Sequence, residues 1–178
     1  MKKSMLFLWA VWCLAACNNE KKTDAAGASQ AVAAATDNKA EKNKQTALAG
    51  VMAVNSHDAD AMLKDATPDA TDYGDGSMPM VKGIDTIKAG IKKWLAAFPD
   101  VKGENFMVLT DDGTHVAVIA DWSATFKNDF MGMKATGKSY KLKDADIFTF
   151  NSDGKITEHR SIQSNSNMMA QIGAKMPK

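Results

Sequence analysis

The chain has 178 residues, 45% of them hydrophobic and 24% charged, enough for one domain with a packed core. Its 22 basic and 21 acidic side chains nearly cancel. That balance excludes the strongly basic face that a nucleic-acid partner requires.

Met1-Lys2-Lys3 precedes an apolar run from Met5 to Leu14. A positive start followed by a short apolar run has the form of a secretory signal. It falls short of the roughly 20 apolar residues a membrane-spanning helix needs. Leu14-Ala15-Ala16-Cys17 closes the run and resembles the lipobox of bacterial lipoproteins. The resemblance implies a signal peptide over 1–16, cleaved before Cys17, with a lipid such as palmitate on the Cys17 sulfur. The alternative is an ordinary signal peptide with a chance cysteine. Loss of Cys13 and acylation of Cys17 would leave no thiol for a disulfide, so stability rests on the core. No later apolar run is long enough to span a bilayer. The expected location is the cell envelope, lipid-anchored on the periplasmic side or at the outer membrane, with the N-terminal lipid as the membrane contact.

Residues 17–43 then read as the lipidated Cys and a flexible tether. After Cys17 the stretch has no aromatic and a single Val, too little apolar surface to offset the entropy of ordering. As a coil it would span about 25–30 Å. Its alanines allow transient helix, but nothing supplies an apolar face. Residues 44–175 are expected to form the domain.

Ala47, Leu48, Val51 and Met52 repeat at helical spacing. Asn55 is the expected N-cap of a second short helix, with Asp58 three residues on. Met62 and Leu63 would be its apolar face. Asp69–Asp75 reads as a short strand or loop. From Gly83 a stronger helix begins: Ile84, Ile87, Ile91, Trp94, Leu95 and Phe98 share one stripe, and Pro99 stops it. The period then changes to two. Val116, Val118, Ala120, Trp122, Ala124 and Phe126 alternate with more polar neighbours, as do Tyr140, Leu142, Phe148 and Phe150. Ile156 and Ile162 mark a third long strand, and Asn151-Ser152-Asp153-Gly154 is a hairpin turn with Gly154 left-handed. Helices first and strands afterwards predict an α+β fold, with N-terminal helices packed on a curved antiparallel sheet.

Several short stretches, taken together, resemble a known family. They are Asn55-Ser56-His57-Asp58, Phe98-Pro99-Asp100, Phe130-Met131-Gly132, Thr136-Gly137-Lys138, Asp153-Gly154-Lys155-Ile156, Glu158-His159 and Gln171-Ile172-Gly173. In this order and spacing they are similar to the SnoaL-like polyketide cyclases, or ester cyclases, of the nuclear-transport-factor-2-like superfamily. The resemblance implies a cone-shaped sheet closed by helices around an apolar pocket. It implies chemistry without metal or cofactor, in which a pocket Asp moves a proton and an aldol-type ring closure follows. This chain departs from the family at the positions that carry that chemistry. The family's Trp falls on Arg160, its Asp on Ser164 and its His on Phe126. A hydroxyl cannot act as a carboxylate and a phenyl ring carries no proton. The expectation is therefore a membrane-tethered, small-molecule-binding domain, non-catalytic or diverged, that takes an apolar or carbonyl-bearing ligand.

The strand Lys138–Phe150 suggests what replaces those groups. Asp144 and Asp146 share a face with Tyr140, Leu142, Phe148 and Phe150. A solvated face would be polar throughout and a dry core face would exclude both acids. If Asn151 pairs with Lys155, Asp146 faces Arg160 and Phe148 faces Glu158. This predicts an Asp146–Arg160 ion pair at the pocket. It would anchor a ligand carboxylate or carbonyl, or simply neutralise itself, and Asp146 or Asp144 would be the replacement acid/base. Trp122, Phe126, Tyr140 and Phe148 are candidate pocket walls, or plain core, and Ser164 and Glu158 are candidate polar contacts. Met78, Met80, Met131 and Met133 suit either an adaptable site or loop packing. A third reading is an interaction module, dimerising through an apolar outer sheet face.

Other signals carry little. Gly132–Ser139 matches the P-loop letter for letter, but a period-two strand follows where the motif needs a helix. His57, His115 and His159 have no metal-ligand spacing, and Asp58, Asp60, Asp69 and Asp72 lack the Gly and Glu of a calcium loop. No Gly-x-Ser-x-Gly elbow supports a serine nucleophile.

Overall fold

A computed structural model describes residues 25–175, with side chains from residue 37 onward. The leader and Cys17 lie outside the described residues. In chain order the elements are α1 (Ala25–Met52), a 3₁₀ turn (Ala53–Ser56), α2 (Ala59–Leu63), β1 (Ala66–Asp72), β2 (Val81–Lys82), α3 (Ile84–Ala97), β3 (Lys102–Thr110), β4 (His115–Thr125), β5 (Ser139–Phe150), β6 (Ile156–Ile162) and α4 (Asn165–Ile172). No described helix is long and apolar enough to cross a membrane.

One six-stranded sheet runs in the order β2-β1-β6-β5-β4-β3. Its spine is the β4–β5 pair, in unbroken antiparallel register from Thr125–Ser139 to His115–Thr149. The period-two pattern explains the spine: Val116, Val118, Ala120, Trp122 and Ala124 all turn to the core while their neighbours stay half-exposed. Every pairing is antiparallel except β1 with β6, which is parallel. β3 was not marked by the sequence pattern. A register shift between Glu104 and Met107 breaks its alternation, with Asn105 left-handed at φ 54°. Short polar Asn tolerates that conformation better than most residues.

The stripe expected from Gly83 is α3, which starts after Gly83 at φ 93° and stops at Phe98-Pro99. Ile87, Leu95 and Ala97 are buried from it. Phe98 at its end is the hub of an aromatic cluster. It stacks on Phe126 at 5.2 Å and meets Tyr140 and Phe130 edge-on at 5.8 and 6.3 Å.

Two expectations near the N-terminus need correction. Asn55 is not the cap of α2. Asp58 is, its Oδ1 accepting from Asp60 N and Ala61 N. Asn55 instead holds β3, donating from Nδ2 to Gly103 O at 3.0 Å and accepting from Gly103 N at 2.8 Å. The boundary at 43/44 also moves. α1 begins at Ala25, inside the stretch expected to be a coil, and its packed part starts before residue 44. Asn43 is fully buried, donating to Gly113 O at 2.8 Å. A β-carbon on Gly113 would fall 2.5 Å from Ala40 Cα. Neither Ala40 nor Asn43 is large and apolar. Here a small residue and an amide make the contact.

Candidate active site

A cavity of about 420 Å³ lies between the inner sheet face and the helices. Ile87, Ile91, Trp94 and Phe98 of α3 form one wall. Trp122, Tyr140, Leu142 and Phe148 of the sheet form the opposite one, and Met168, Met169 and Ile172 of α4 close an end. α4 was not marked by the sequence pattern. It is fastened by Gln171, whose side chain accepts from Lys141 N at 2.9 Å and donates to Lys141 O at 3.0 Å, extending the β5 edge. Met78, Met131 and Met133 also line the cavity, the first two nearly half exposed; Met80 does not line it.

The polar side is made by β5, β6, β1 and the loop after β1. β5 and β6 begin in the expected register, with Asn151 N donating to Lys155 O and Phe150 opposite Ile156. The register then slips by one residue, so Thr149 faces Glu158, Phe148 faces His159, Ile147 faces Arg160 and Asp146 faces Ser161. One residue of slip turns every following side chain to the other face. The expected Asp146–Arg160 pair is therefore overturned. Arg160 is exposed on the outer face, its guanidinium 3.7 Å above the Tyr73 ring.

His159 takes the place intended for Arg160. Its Nδ1 is 2.9 Å from Asp72 Oδ1 and its Nε2 is 3.0 Å from Asp146 Oδ1. Carboxylates only accept, so both ring nitrogens must carry protons, and the ring is an imidazolium. Burial works against that charge, but hydrogen bonds to Asp146 and Asp72 outweigh it and raise the pKa to about 10. Asp72 pays a burial penalty too, and the same His159 bond overcomes it, holding that carboxyl below its usual range. The ring cannot act as a base at neutral pH.

Asp144 is different. It is 9% exposed, and burial pushes its carboxyl up, with the Asp146 charge adding to the effect, to about 6. Ser161 Oγ donates to its Oδ2 at 2.9 Å, and its Oδ1 is buried with no partner among the described residues. Trp122 Nε1 is likewise a buried donor without a partner. Burial also raises Tyr140, so its hydroxyl keeps its proton. A carboxyl raised toward neutrality beside an apolar cavity suits proton transfer.

Of the residues singled out from sequence, Asp144, Asp146, Trp122, Tyr140, Phe148 and Glu158 line the cavity. Three others do not. Phe126 is wholly buried beneath Phe98 as core. Ser164 is exposed at the start of α4, where its carbonyl accepts from Met168 N. Arg160 is outside, as described. Sequence reasoning missed Asp72, Asp75, His159, Ser161 and Gln163 as polar wall. The slip at Thr157 brings His159 and Ser161 inward, and no residue type announces it. Gly132–Ser139 belongs to the loop before β5 and precedes no helix.

The family model "SnoaL-like polyketide cyclase" matches residues 42–172. Solved structures of the same fold include a candidate hydroxylase, AclR, from Streptomyces galilaeus. It is 27% identical, with 78% of this chain and 88% of that one covered and a TM-score of 0.63. A candidate polyketide cyclase from Xanthomonas campestris pv. campestris is 20% identical, covering 75% and 98%, with a TM-score of 0.69, and shows the fold alone. IdmH, a candidate polyketide cyclase from Streptomyces antibioticus, is 25% identical, covering 74% and 98%, with a TM-score of 0.59. No curated protein is a significant match.

Both raised pKa values carry a stability consequence of the same sign. A group that binds its proton more tightly when folded stabilises below its unfolded pKa and loses that contribution as pH rises through the folded one. Urea titrations should show stability falling from about pH 4 to about pH 6 through Asp144, and again as pH approaches about 10 through His159. His159→Ala leaves Asp72 and Asp146 uncompensated. It should cost about 3 kcal/mol at pH 7 and erase the alkaline fall.

Proposed function

The chain belongs to the SnoaL-like polyketide cyclase family, and we propose that it catalyses proton transfer on an apolar carbonyl compound with Asp144 as the acid/base. The carrying observation is the Asp144 carboxyl itself: buried, poised near neutrality, with Oδ1 unpartnered at a greasy cavity. As a carboxylate it takes a proton from the carbon next to a carbonyl. The resulting enolate attacks a second carbonyl within the same molecule, and the proton returns to the alkoxide formed. Trp122 Nε1 and the Tyr140 hydroxyl are the donors available to the oxygen on which charge develops. Asp146 lifts Asp144 by its charge, and His159 keeps Asp146 in place. Asp144 thus stands in for the family acid lost at Ser164. This favours the diverged-enzyme reading over a binding-only domain.

The test is deuterium exchange at the α-carbon of 2-tetralone, followed by proton NMR. Wild type should exchange it with a rate that rises as pH increases through about 6. Asp144→Asn should lower the rate by about 10²–10³ while 2-tetralone still quenches tryptophan fluorescence. Equal rates in the two proteins would remove Asp144 from the chemistry and return the domain to a binding role.

The location belongs to the same proposal: a chain held at a membrane of the cell envelope by a lipid on Cys17. In a bacterial host the full chain should sediment with membranes and Cys17→Ser should release it. A Cys17 peptide of unmodified mass would rule the lipid out.

A second reading is favoured by the outer sheet face. Met107 faces Ile119, Ile119 faces Ala145, and Ala145 faces Ile162, an apolar row across four strands. Leu109, Ala117 and Ile147 make the adjoining row. Met107, Leu109 and Ile162 are each at least half exposed. A second copy of the chain would cover such a self-complementary band. Sedimentation velocity should give a dimer for wild type and a monomer for Ile162→Glu; a monomeric wild type would end this reading.

A further inference from the structure

The cavity's apolar walls are matched to charge of one sign. Among the described residues Asp72, Asp75, Asp144 and Asp146 line it, and no Lys or Arg does. The cation among its described lining residues is His159, already shared between Asp72 and Asp146. Those three groups together keep one net negative charge. Asp75 adds to it, and Asp144 adds more whenever it is ionised. The two carboxylates of this set that His159 does not bridge have free capacity. Asp144 is more than nine-tenths buried with Oδ1 unpartnered. Asp75 spends Oδ1 on Ser77, at 2.9 Å to the amide and 2.6 Å to the hydroxyl. Its Oδ2 has only a long contact of 3.4 Å from Gln163. Burial opposes ionisation of Asp75, but the Ser77 bonds prevail and its carboxyl stays below the usual range.

A carboxylate ligand would meet uncompensated negative charge in a low-dielectric setting, where repulsion is weakly screened. A neutral ligand would leave the free carboxylate oxygens unmatched. A cationic head satisfies the one on Asp75, and the aromatic rings of Trp94 on the α3 wall and Phe148 on the sheet wall favour positive charge as well. We infer that the pocket is built for an apolar compound carrying a protonated amine, with the ammonium against Asp75 and the hydrocarbon body extending toward Asp144. This deepens the proton-transfer reading, on which it rests for the role of Asp144. It also reverses the polarity expected from an Arg160 anchor. The amine sets which carbonyl compounds enter, and Asp144 acts on the carbon end.

Calorimetry with three probes of one shape decides it: 2-(2-naphthyl)ethylamine, 2-(2-naphthyl)ethanol and 2-naphthylacetate, at pH 7 and low salt. The amine should bind at least tenfold more tightly than the alcohol, and the carboxylate at least tenfold more weakly. Asp75→Asn should bring the amine to within threefold of the alcohol and leave alcohol binding unchanged, which certifies an intact pocket. Raised salt should weaken only the amine. Equal binding of the three, preference for the carboxylate, or no binding of any at millimolar concentration would overturn the inference. The 2-tetralone exchange uses a neutral ketone, so it succeeds or fails independently of this result.

Discussion

A single imidazole ring fills the space between Asp72 and Asp146, and the site depends on that ring being charged. The two carboxylates come from strands on either side of His159's own strand. Without the proton on each ring nitrogen, one acid would lose its donor and the two anions would face each other across a few ångströms of poorly screened space. The bridge therefore ties β1, β6 and β5 together laterally where the parallel β1–β6 pairing is irregular. It also holds the Asp146 carboxylate in place, and that charge, after burial, is part of what raises the Asp144 carboxyl. The cation thus acts on Asp144 through an intermediate carboxylate.

The division of labour between walls follows from the same economy of charge. α3 contributes only hydrocarbon and indole, because its stripe was selected by a 3.6-residue period. Every ionisable lining group comes from the sheet or from the loop after β1. One side of the cavity thus offers shape and the other polarity. That is the arrangement in which a carbon acid and a base can be brought together without water competing for either.

Sequence reasoning reached α3, β4, β5 and the Asn151–Gly154 turn because periodicity and turn chemistry are local. It reached Asp144 and Asp146 because acids on an apolar strand face are costly and so informative. It failed where geometry is set by contacts far along the chain. The slip at Thr157 decides whether Arg160 or His159 enters the cavity, and hydrophobic alternation in Ile156–Ile162 fits either outcome. β3 escaped because its bulge at Asn105 breaks the period. α4 escaped because it is short and only weakly amphipathic; one glutamine clamp secures it to β5. The inner helix boundary escaped because Ala40 and Asn43 look like linker residues until Gly113 is placed against them.

α1 changes the mechanics of whatever precedes it. Twenty-eight helical residues rise about 42 Å, and from Ala40 onward, nearly half of them, the helix packs into the domain. The turns before Ala40 continue the same helix as a mast, where a coil would have been a leash. A leash lets a globule tumble and sets only an average separation from its attachment. A mast transmits orientation, so the direction in which the cavity opens is coupled to the direction in which the helix is planted.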